Sequence, residues 1–153
     1  YARVLQDSRV EFYHSVAWVR SGGYWQDRPG QQSLDVNRDL LRRNVPVCRI
    51  VILSDSLCSG ETSQSWPTEL LSWLREQEHA GMTMYWIRES ELKHEEDLLC
   101  DMGIYGNLAV GLLRTDDASR SLSFRLCFHS SEQQRCHRRW KQLMLYAHPG
   151  VPE

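Results

Sequence analysis

Six histidines and an aspartate behind an apolar run are the residues of this chain that first invite a chemical interpretation. None of the histidines forms the HxxxH or HExxH spacing that places two imidazoles on one helical face toward a metal. One of them lies beside Glu95 and Glu96 in a polar, acidic run that is typical of a solvated loop. The sequence therefore predicts no metal site at His14, His79, His94, His129, His137 or His148.

Asp55 follows the apolar run 45–53 directly, as the phospho-acceptor of a receiver domain follows its strand. That chemistry also needs an acidic pair after an earlier strand, and residues 16–19 (Val-Ala-Trp-Val) supply no acids. A GxSxG nucleophile elbow, a GxGxxG turn and a Walker lysine loop are all missing from the sequence. We expect no cofactor and assign no catalytic residue.

An aromatic group surrounds the Ser-Gly-Gly segment 21–23 and is the most informative surface feature of the sequence. Trp18, Tyr24 and Trp25 stand near the end of a predicted strand, and ligands collect outside such strand ends in parallel α/β sheets. The alternative is that these rings simply cover the core. Polar side chains follow in the same segment at Arg20, Asp27 and Arg28.

Asn37 falls on the same predicted helical face as Leu34 and Leu41. A buried amide needs hydrogen-bond partners, so it either satisfies buried backbone groups or faces a ligand. With Ser54 and Asp55 at the end of the run 45–53, it completes the predicted ligand-binding set: Trp18, Tyr24, Trp25, Asn37, Ser54 and Asp55.

The elements that position these residues follow from apolar periodicity. Strands are predicted at 12–19, 45–53, 82–88, 104–114 and 122–128, and the last two read as an antiparallel hairpin joined by 115–119. Helices are predicted at 31–44, ended by Asn44, at 65–81, capped by Ser65 and closed by Gly81, and from Ser130 or Ser131 to 148. Residues 24–30 are predicted to be a loop.

This order predicts a single α/β domain over residues 1–153, a three-layer α/β/α sandwich whose mixed sheet has a parallel core and a C-terminal antiparallel hairpin. The chain begins at Tyr1, so we expect a domain excised from a longer protein. No apolar run is long enough for a membrane span.

The net charge and the cysteine content limit the classes of binding partner and the cellular compartment that we expect. The net charge of −2 gives no general attraction to nucleic acid or anionic lipid. Arg135, Arg138 and Arg139 share one helical face that could bind an acidic partner or phosphates, although a solvated face is the favoured explanation. Five cysteines without CxxC spacing favour a reduced, cytoplasmic protein over a disulfide framework.

The segment 101–111 (DMGIYGNLAVG) resembles the hairpin of the phospholipase D-like superfamily, where a pattern xIxDGxxxxxG follows the HxKxxxxD signature. The segment 42–50 (RRNVPVCRI) is similar to the helix-to-strand junction of that fold. The chain contains no His-x-Lys, and Leu98 to Cys100 stand where that pair would lie. Because the mechanism needs a histidine nucleophile and a phosphate-holding lysine, the resemblance implies a member without phosphodiesterase activity.

Two hypotheses of different classes follow. The first is a phospholipase D-like sensing or protein-interaction module, and the second is a small enzyme or nucleotide- or phosphate-binding domain that uses the strand-end cleft. Catalytic sites of the superfamily combine two copies of the half-fold, so the resemblance implies a homodimer or contacts with other domains of a parent protein, with Tyr24 and Trp25 contributing. A small-molecule ligand remains compatible with both hypotheses, whereas membrane and nucleic-acid partners are not expected.

Overall fold

A computed structural model describes residues 2–26, 28–60, 62–115 and 121–153, without the side chains at 23, 26, 28–30, 115, 121 and 122. Asp27, the Arg28 side chain and the predicted turn at 116–119 thus lie outside the described residues.

Seven strands are present in the described residues: β1 Tyr13–Val19, β2 Val47–Leu53, β3 Thr83–Arg88, β4 Asp101–Tyr105, β5 Ala109–Thr115, β6 Ser121–Cys127 and β7 His148–Pro149. The α-helices are α1 Ala2–Leu5, α2 Gly23–Gln26, α3 Arg28–Arg42, α4 Thr68–His79 and α5 Ser130–Met144. Short 3-10 turns occur at Ser63–Ser65, Glu89–Leu92 and Glu96–Leu98.

The strands form one mixed sheet in the order β6-β5-β4-β1-β2-β3-β7. β2 pairs in parallel with β1 and β3, while β4, β5, β6 and β7 each join their neighbours antiparallel. The predicted mixed α/β sheet with a parallel core is confirmed, and so is the antiparallel pairing of β5 with β6.

Alternate residues of the central strands enter two separate hydrophobic clusters, as the two-residue period of a strand requires. The first cluster contains Ala17 and Val51 together with Leu40 of α3 and Trp73 of α4. In the second cluster, Cys136, Trp140 and Leu143 of α5 lie together with Val16, Ile50 and Ile52 of the sheet. β2 is therefore buried on both sides, which explains its almost continuous apolar sequence.

The strand predicted over 104–114 is wrong, because these residues belong to two strands joined by a tight turn. Gly106 has a φ of +54°, in the left-handed region that a side chain rarely adopts. Its N–H donates to the carbonyl of Phe12 at 2.8 Å, and the Leu108 N–H donates to the carbonyl of Tyr105 at 3.1 Å. β4 and β5 consequently form a hairpin of their own.

The loop predicted over 24–30 is also wrong, because α2 and the beginning of α3 occupy it. Pro29 is the second residue of α3, where the first turn has no intrahelical use for the missing N–H. The glycines and the proline that indicated a loop are thus tolerated at the ends of two helices.

The predicted C-terminal ends of α3 and α4 agree with the structure, but the predicted N-terminal cap of α4 does not. Asn44 has a φ of 59°, and the Val45 N–H donates to the carbonyl of Leu40 at 2.9 Å, so Asn44 ends α3 as predicted. Gly81 likewise closes α4 with a φ of +104°. Ser65 is not the cap of α4, since it lies in the preceding 3-10 turn and Pro67 holds the cap position without a side-chain hydrogen bond.

The last helix also departs from expectation at both ends. His129, rather than Ser130 or Ser131, occupies the position before α5, and α5 ends at Met144 instead of continuing to 148. His148 and Pro149 form the edge strand β7 against β3. The Gly150 N–H donates to the carbonyl of Met84 at 2.8 Å, which continues this contact beyond the proline. In the described part of the chain, no helix has both the length and the hydropathy needed to cross a bilayer.

Candidate ligand-binding cleft

A cleft of about 610 Å³ lies between α3 and α4. This volume falls within the range of roughly 300–1,000 Å³ that is usual for small-molecule sites. The residues that line it come from α2, α3 and α4: Tyr24, Trp25, Gln31, Leu34, Asp35, Arg38, Thr68, Glu69, Ser72, Trp73 and Glu76.

Helical periodicity explains why these residues meet. The α3 residues 31, 34, 35 and 38 follow the three- and four-residue spacing of one helical face, as do the α4 residues 68, 69, 72, 73 and 76. The buried residues of α4 include Leu70, Leu74 and Gln77, which leaves its lining residues, apart from Trp73, at the margin of the core. The cleft therefore has an apolar floor and a polar rim.

Aromatic rings form one wall of the cleft. The rings of Tyr24 and Trp25 each lie 5.7 Å from the ring of Trp73, measured between centroids. Trp73 is 7% exposed, so it belongs to both the core and the cleft. The indole nitrogen of Trp25 is buried and has no hydrogen-bond partner among the described residues.

A buried carboxylate fixes Tyr24. Asp101, at the first position of β4, accepts the backbone N–H of Trp18 at 3.0 Å and the hydroxyl of Tyr24. Burial, followed by the charge of Asp101, raises the pKa of Tyr24 well above its ordinary value, so the hydroxyl stays protonated and donates. Asp101 thereby ties the aromatic wall to the centre of the sheet.

A second buried network reaches the backbone of α4 at Trp73. Arg49 of β2 is 6% exposed, and its guanidinium donates to the hydroxyl of Ser15 at 3.2 Å and to the side-chain carbonyl of Gln77. The Gln77 amide donates in turn to the carbonyl of Trp73 at 3.2 Å. The floor of the cleft is thus attached to the sheet through Arg49, the one residue that interrupts the apolar sequence of β2.

The rim of the cleft is predominantly acidic. Its lining contains three carboxylates (Asp35, Glu69 and Glu76) and one cation (Arg38), which gives a formal charge of −2 for the described lining residues. The Arg38 guanidinium lies 2.8 Å from the carboxylate of Glu76 and 3.6 Å from that of Asp35. Glu69 makes no ion pair with any described residue, although the first turn of α4 favours its negative charge.

Of the predicted ligand-binding residues, Tyr24 and Trp25 line this cleft and the other four do not. Trp18 packs against the second hydrophobic cluster, where its indole N–H donates to the Glu89 carboxylate at 2.9 Å. The Arg20 guanidinium lies 4.1 Å from the Trp18 ring centroid. Through its backbone N–H, Trp18 shares the hydrogen-bond acceptor Asp101 with Tyr24.

Ser54 and Asp55 form the turn that follows β2. The carbonyl of Ser54 accepts the N–H groups of Leu57 and Cys58 at 3.2 and 2.9 Å, and its hydroxyl lies 2.8 Å from that of Ser56. Ser54 is buried, whereas Asp55 is exposed. The polar groups of Ser54 are therefore used in closing the turn.

Asn37 is fully buried, and neither its amide nitrogen nor its amide oxygen has a hydrogen-bond partner among the described residues. The expectation that it satisfies buried backbone groups is not met. Since Asn37 is also not among the lining residues of the cleft, this polar group stands in the interior at a cost in free energy.

Sequence reasoning missed Asp101, Trp73 and the rim carboxylates as members of a site. A signal for Asp101 was present, because an acid directly before the apolar strand 102–105 must find partners when buried. The rim carboxylates had no comparable signal, because charged residues at helical spacing are also found on solvated helix faces.

In the described part of the chain, no group of three His, Cys, Asp or Glu side chains is arranged to hold a metal ion. No protein-family model matches the chain, and no curated protein shows significant sequence similarity to it.

Proposed function

We propose that the chain is a phospholipase D-like domain without a phosphodiesterase site, and that it serves as a sensing or protein-interaction module through the cleft between α3 and α4. The observation that carries this proposal is the cleft itself. It has an aromatic wall supported by two buried hydrogen-bond networks, and the Thr68 and Ser72 hydroxyls of its lining donate to no carboxylate among the described residues.

The element order supports the proposed fold family. Strand, helices, strand, helix and strand follow one another from β1 to β3, and the three antiparallel strands β4 to β6 and the helix α5 come next. The hairpin β4–β5 covers the segment 101–111 that carries the resemblance. The two hydrophobic clusters, one with residues of α3 and α4 and one with residues of α5, support the three-layer arrangement.

The residues at the positions of the superfamily's catalytic pair support a role without chemistry. Leu98 is 1% exposed and belongs to the second hydrophobic cluster. Burial raises the pKa of the Cys100 thiol to about 12, so the thiolate that could attack phosphorus is almost unpopulated near neutral pH. An aliphatic side chain and a neutral thiol cannot replace histidine and lysine.

The alternative, an enzyme or a nucleotide- or phosphate-binding domain at the strand ends, has less support. The polar groups there are bonded to each other: Asp101 to Trp18 and Tyr24, and Ser54 to the following turn. A phosphate would have to displace these contacts before it could bind.

A protein-observed NMR screen of the ¹⁵N-labelled chain with a small fragment library tests the binding function. Bound fragments should shift the indole ¹⁵N–¹H signals of Trp25 and Trp73, assigned with single Trp→Phe variants, and should leave that of Trp140 unchanged. In parallel, the purified chain should not hydrolyse bis-p-nitrophenyl phosphate above buffer. A library that shifts neither cleft indole, or hydrolysis that persists after repurification and is lost in a cleft variant, contradicts the proposal.

A further inference from the structure

We infer that the cleft between α3 and α4 recognises an organic cation, a guanidinium or ammonium group carried on an apolar stem. The inference rests on the proposed binding function and adds the chemical class of the ligand. It follows from the combination of the aromatic wall, the excess of carboxylates on the rim and the position of the single cation among the described lining residues.

The aromatic wall suits both parts of such a ligand. Tyr24, Trp25 and Trp73 offer apolar surface to a stem, and the faces of tryptophan and tyrosine rings attract cations within about 6 Å of the ring centroid. Asp101 holds the Tyr24 side chain, and the Arg49–Gln77 network holds the backbone of α4 at Trp73, before a ligand arrives, which reduces the entropy lost on binding.

The rim leaves one carboxylate available for the charged group. The Arg38 guanidinium lies between the carboxylates of Asp35 and Glu76. Arg38 is the last lining residue of α3, and Glu76 is the last lining residue of α4. Their ion pair therefore closes one end of the cleft. Glu69 lies near the beginning of α4, away from that pair along the helix, and is not neutralised by any described residue. A ligand's cation would therefore bind toward Glu69.

An anion is the opposite possibility, because the beginning of a helix attracts negative charge. At α4, however, Glu69 already places a carboxylate in the first turn. The Arg38 guanidinium, which could otherwise hold a phosphate, is already paired with Glu76. The charge of −2 over the described lining residues then opposes a second anion.

Three probes of the same size and different charge test the inference by titration at low salt, read from the Trp25 and Trp73 indole signals. They are n-butylguanidinium, its neutral isostere n-butylurea, and n-butyl phosphate. The cation should bind at least about fivefold more tightly than the urea, which corresponds to an exposed ion pair of about 1 kcal/mol. Tighter binding of the urea or the phosphate overturns the inference.

Variants of the rim give the same answer independently. Glu69→Gln should weaken binding of butylguanidinium by about fivefold and leave butylurea unchanged, whereas Arg38→Gln should strengthen binding of the cation. Glu78→Gln is the matched control, because Glu78 is exposed on the same helix and does not line the cleft. Equal melting temperatures establish that the variants are folded. If Glu69→Gln has no larger effect than Glu78→Gln, the inference is wrong.

Comparison with the fragment screen separates this inference from the function on which it rests. If neutral or anionic fragments shift the cleft indole signals and butylguanidinium does not, the inference of a cationic ligand is wrong and the proposed binding function of the cleft still holds. A screen without cleft hits refutes both. The peptide acetyl-Gly-Arg-Gly-amide identifies the source of the cation: binding tighter than that of butylguanidinium indicates an arginine side chain of a partner protein, and weaker binding indicates a free small molecule.

Discussion

Single polar residues in the interior carry much of the organisation of this chain. Asp101 begins the apolar strand β4 and Arg49 interrupts the apolar strand β2. Their hydrogen bonds reach the Tyr24 hydroxyl and, through Gln77, the Trp73 backbone, so each has a positioning role that its burial makes costly to replace. Asn37 is equally buried and has no partner among the described residues. We therefore expect that replacing a hydrogen-bonded buried group lowers the stability of the protein, whereas replacing the unpaired Asn37 amide raises it.

Asn37→Leu should stabilise the protein by about 1–3 kcal/mol, because it removes two unpaired polar atoms from the interior and replaces them with a side chain of similar size. Chemical denaturation monitored by circular dichroism measures the change. The reverse substitution at a neighbouring buried position of the same helix, Leu40→Asn, should destabilise the protein. A loss of stability in Asn37→Leu would show that the amide has partners that matter.

His14 should make the fold sensitive to mild acid. Burial, and then the nearby His137, lower the pKa of His14 below its ordinary value. The unfolded chain therefore takes up a proton at this residue first as pH falls through about 6.5, and the stability that is fully present above that pH is lost progressively below it.

Replacement of His14 tests this pH dependence. The stability measured at pH 8 should exceed that at pH 5.5 in the native protein, and the difference should shrink in His14→Gln. His79→Gln is the control, since His79 is exposed at the end of α4. An unchanged difference in His14→Gln would assign the acid sensitivity to other groups.

At the scale of elements, the sequence predicts strands and helices with a long apolar periodicity well, but it does not predict short or interrupted elements. β1, β2, β3 and the three long helices α3, α4 and α5 follow from apolar spacing, and their boundaries differ from the predictions by a few residues. β7 has two residues, one of them a proline, and only its pairing with β3 makes it a strand. α2 has four residues and packs against α3 and α4, so tertiary contacts override the loop-forming glycines before it.

The candidate site was predictable only in part for the same reason. Tyr24 and Trp25 are recognisable as aromatics at a strand end, but their partner Trp73 lies 48 and more residues away on a helix whose relation to α3 no local pattern describes. Trp18 was grouped with them by sequence proximity. The two-residue period of β1 places its side chain in the second cluster instead, away from the Trp73 side.

The docking of α5 provides a prediction at this scale. Trp140 is 9% exposed, belongs to the second hydrophobic cluster, and its ring lies 4.4 Å from that of His14 in a stacked arrangement. Trp140→Ala should therefore cost about 3–5 kcal/mol and can prevent soluble expression. Leu145→Ala, at a residue 84% exposed just after the helix, should change the melting temperature little. Equal melting temperatures for the two variants would contradict this packing.

For the whole molecule, the exposed apolar side chains offer a second surface for association besides the one predicted from the sequence. The contribution of Tyr24 and Trp25 to a homodimer stays a prediction; within the chain, both are partly buried and pack around Trp73. The exposed large hydrophobic side chains among the described residues are Phe124, Phe128 and Leu145. Two of these lie in or directly after β6, which is the strand at one edge of the sheet.

We expect a homodimer that forms through the β6 edge. An edge strand presents unpaired backbone groups to a second strand, and Phe124 and Phe128, 44% and 57% exposed, would lose apolar surface to water on pairing. A second copy of the same edge provides a closed, two-fold solution. Sedimentation equilibrium at tens of micromolar should then give twice the chain mass of 17.9 kDa, and Phe128→Ser combined with Phe124→Ser should return the monomer mass. Trp25→Ala is the control and should leave the dimer intact. A monomer mass for the native chain, or a dimer that persists in the double Phe→Ser variant, would exclude β6 as the interface.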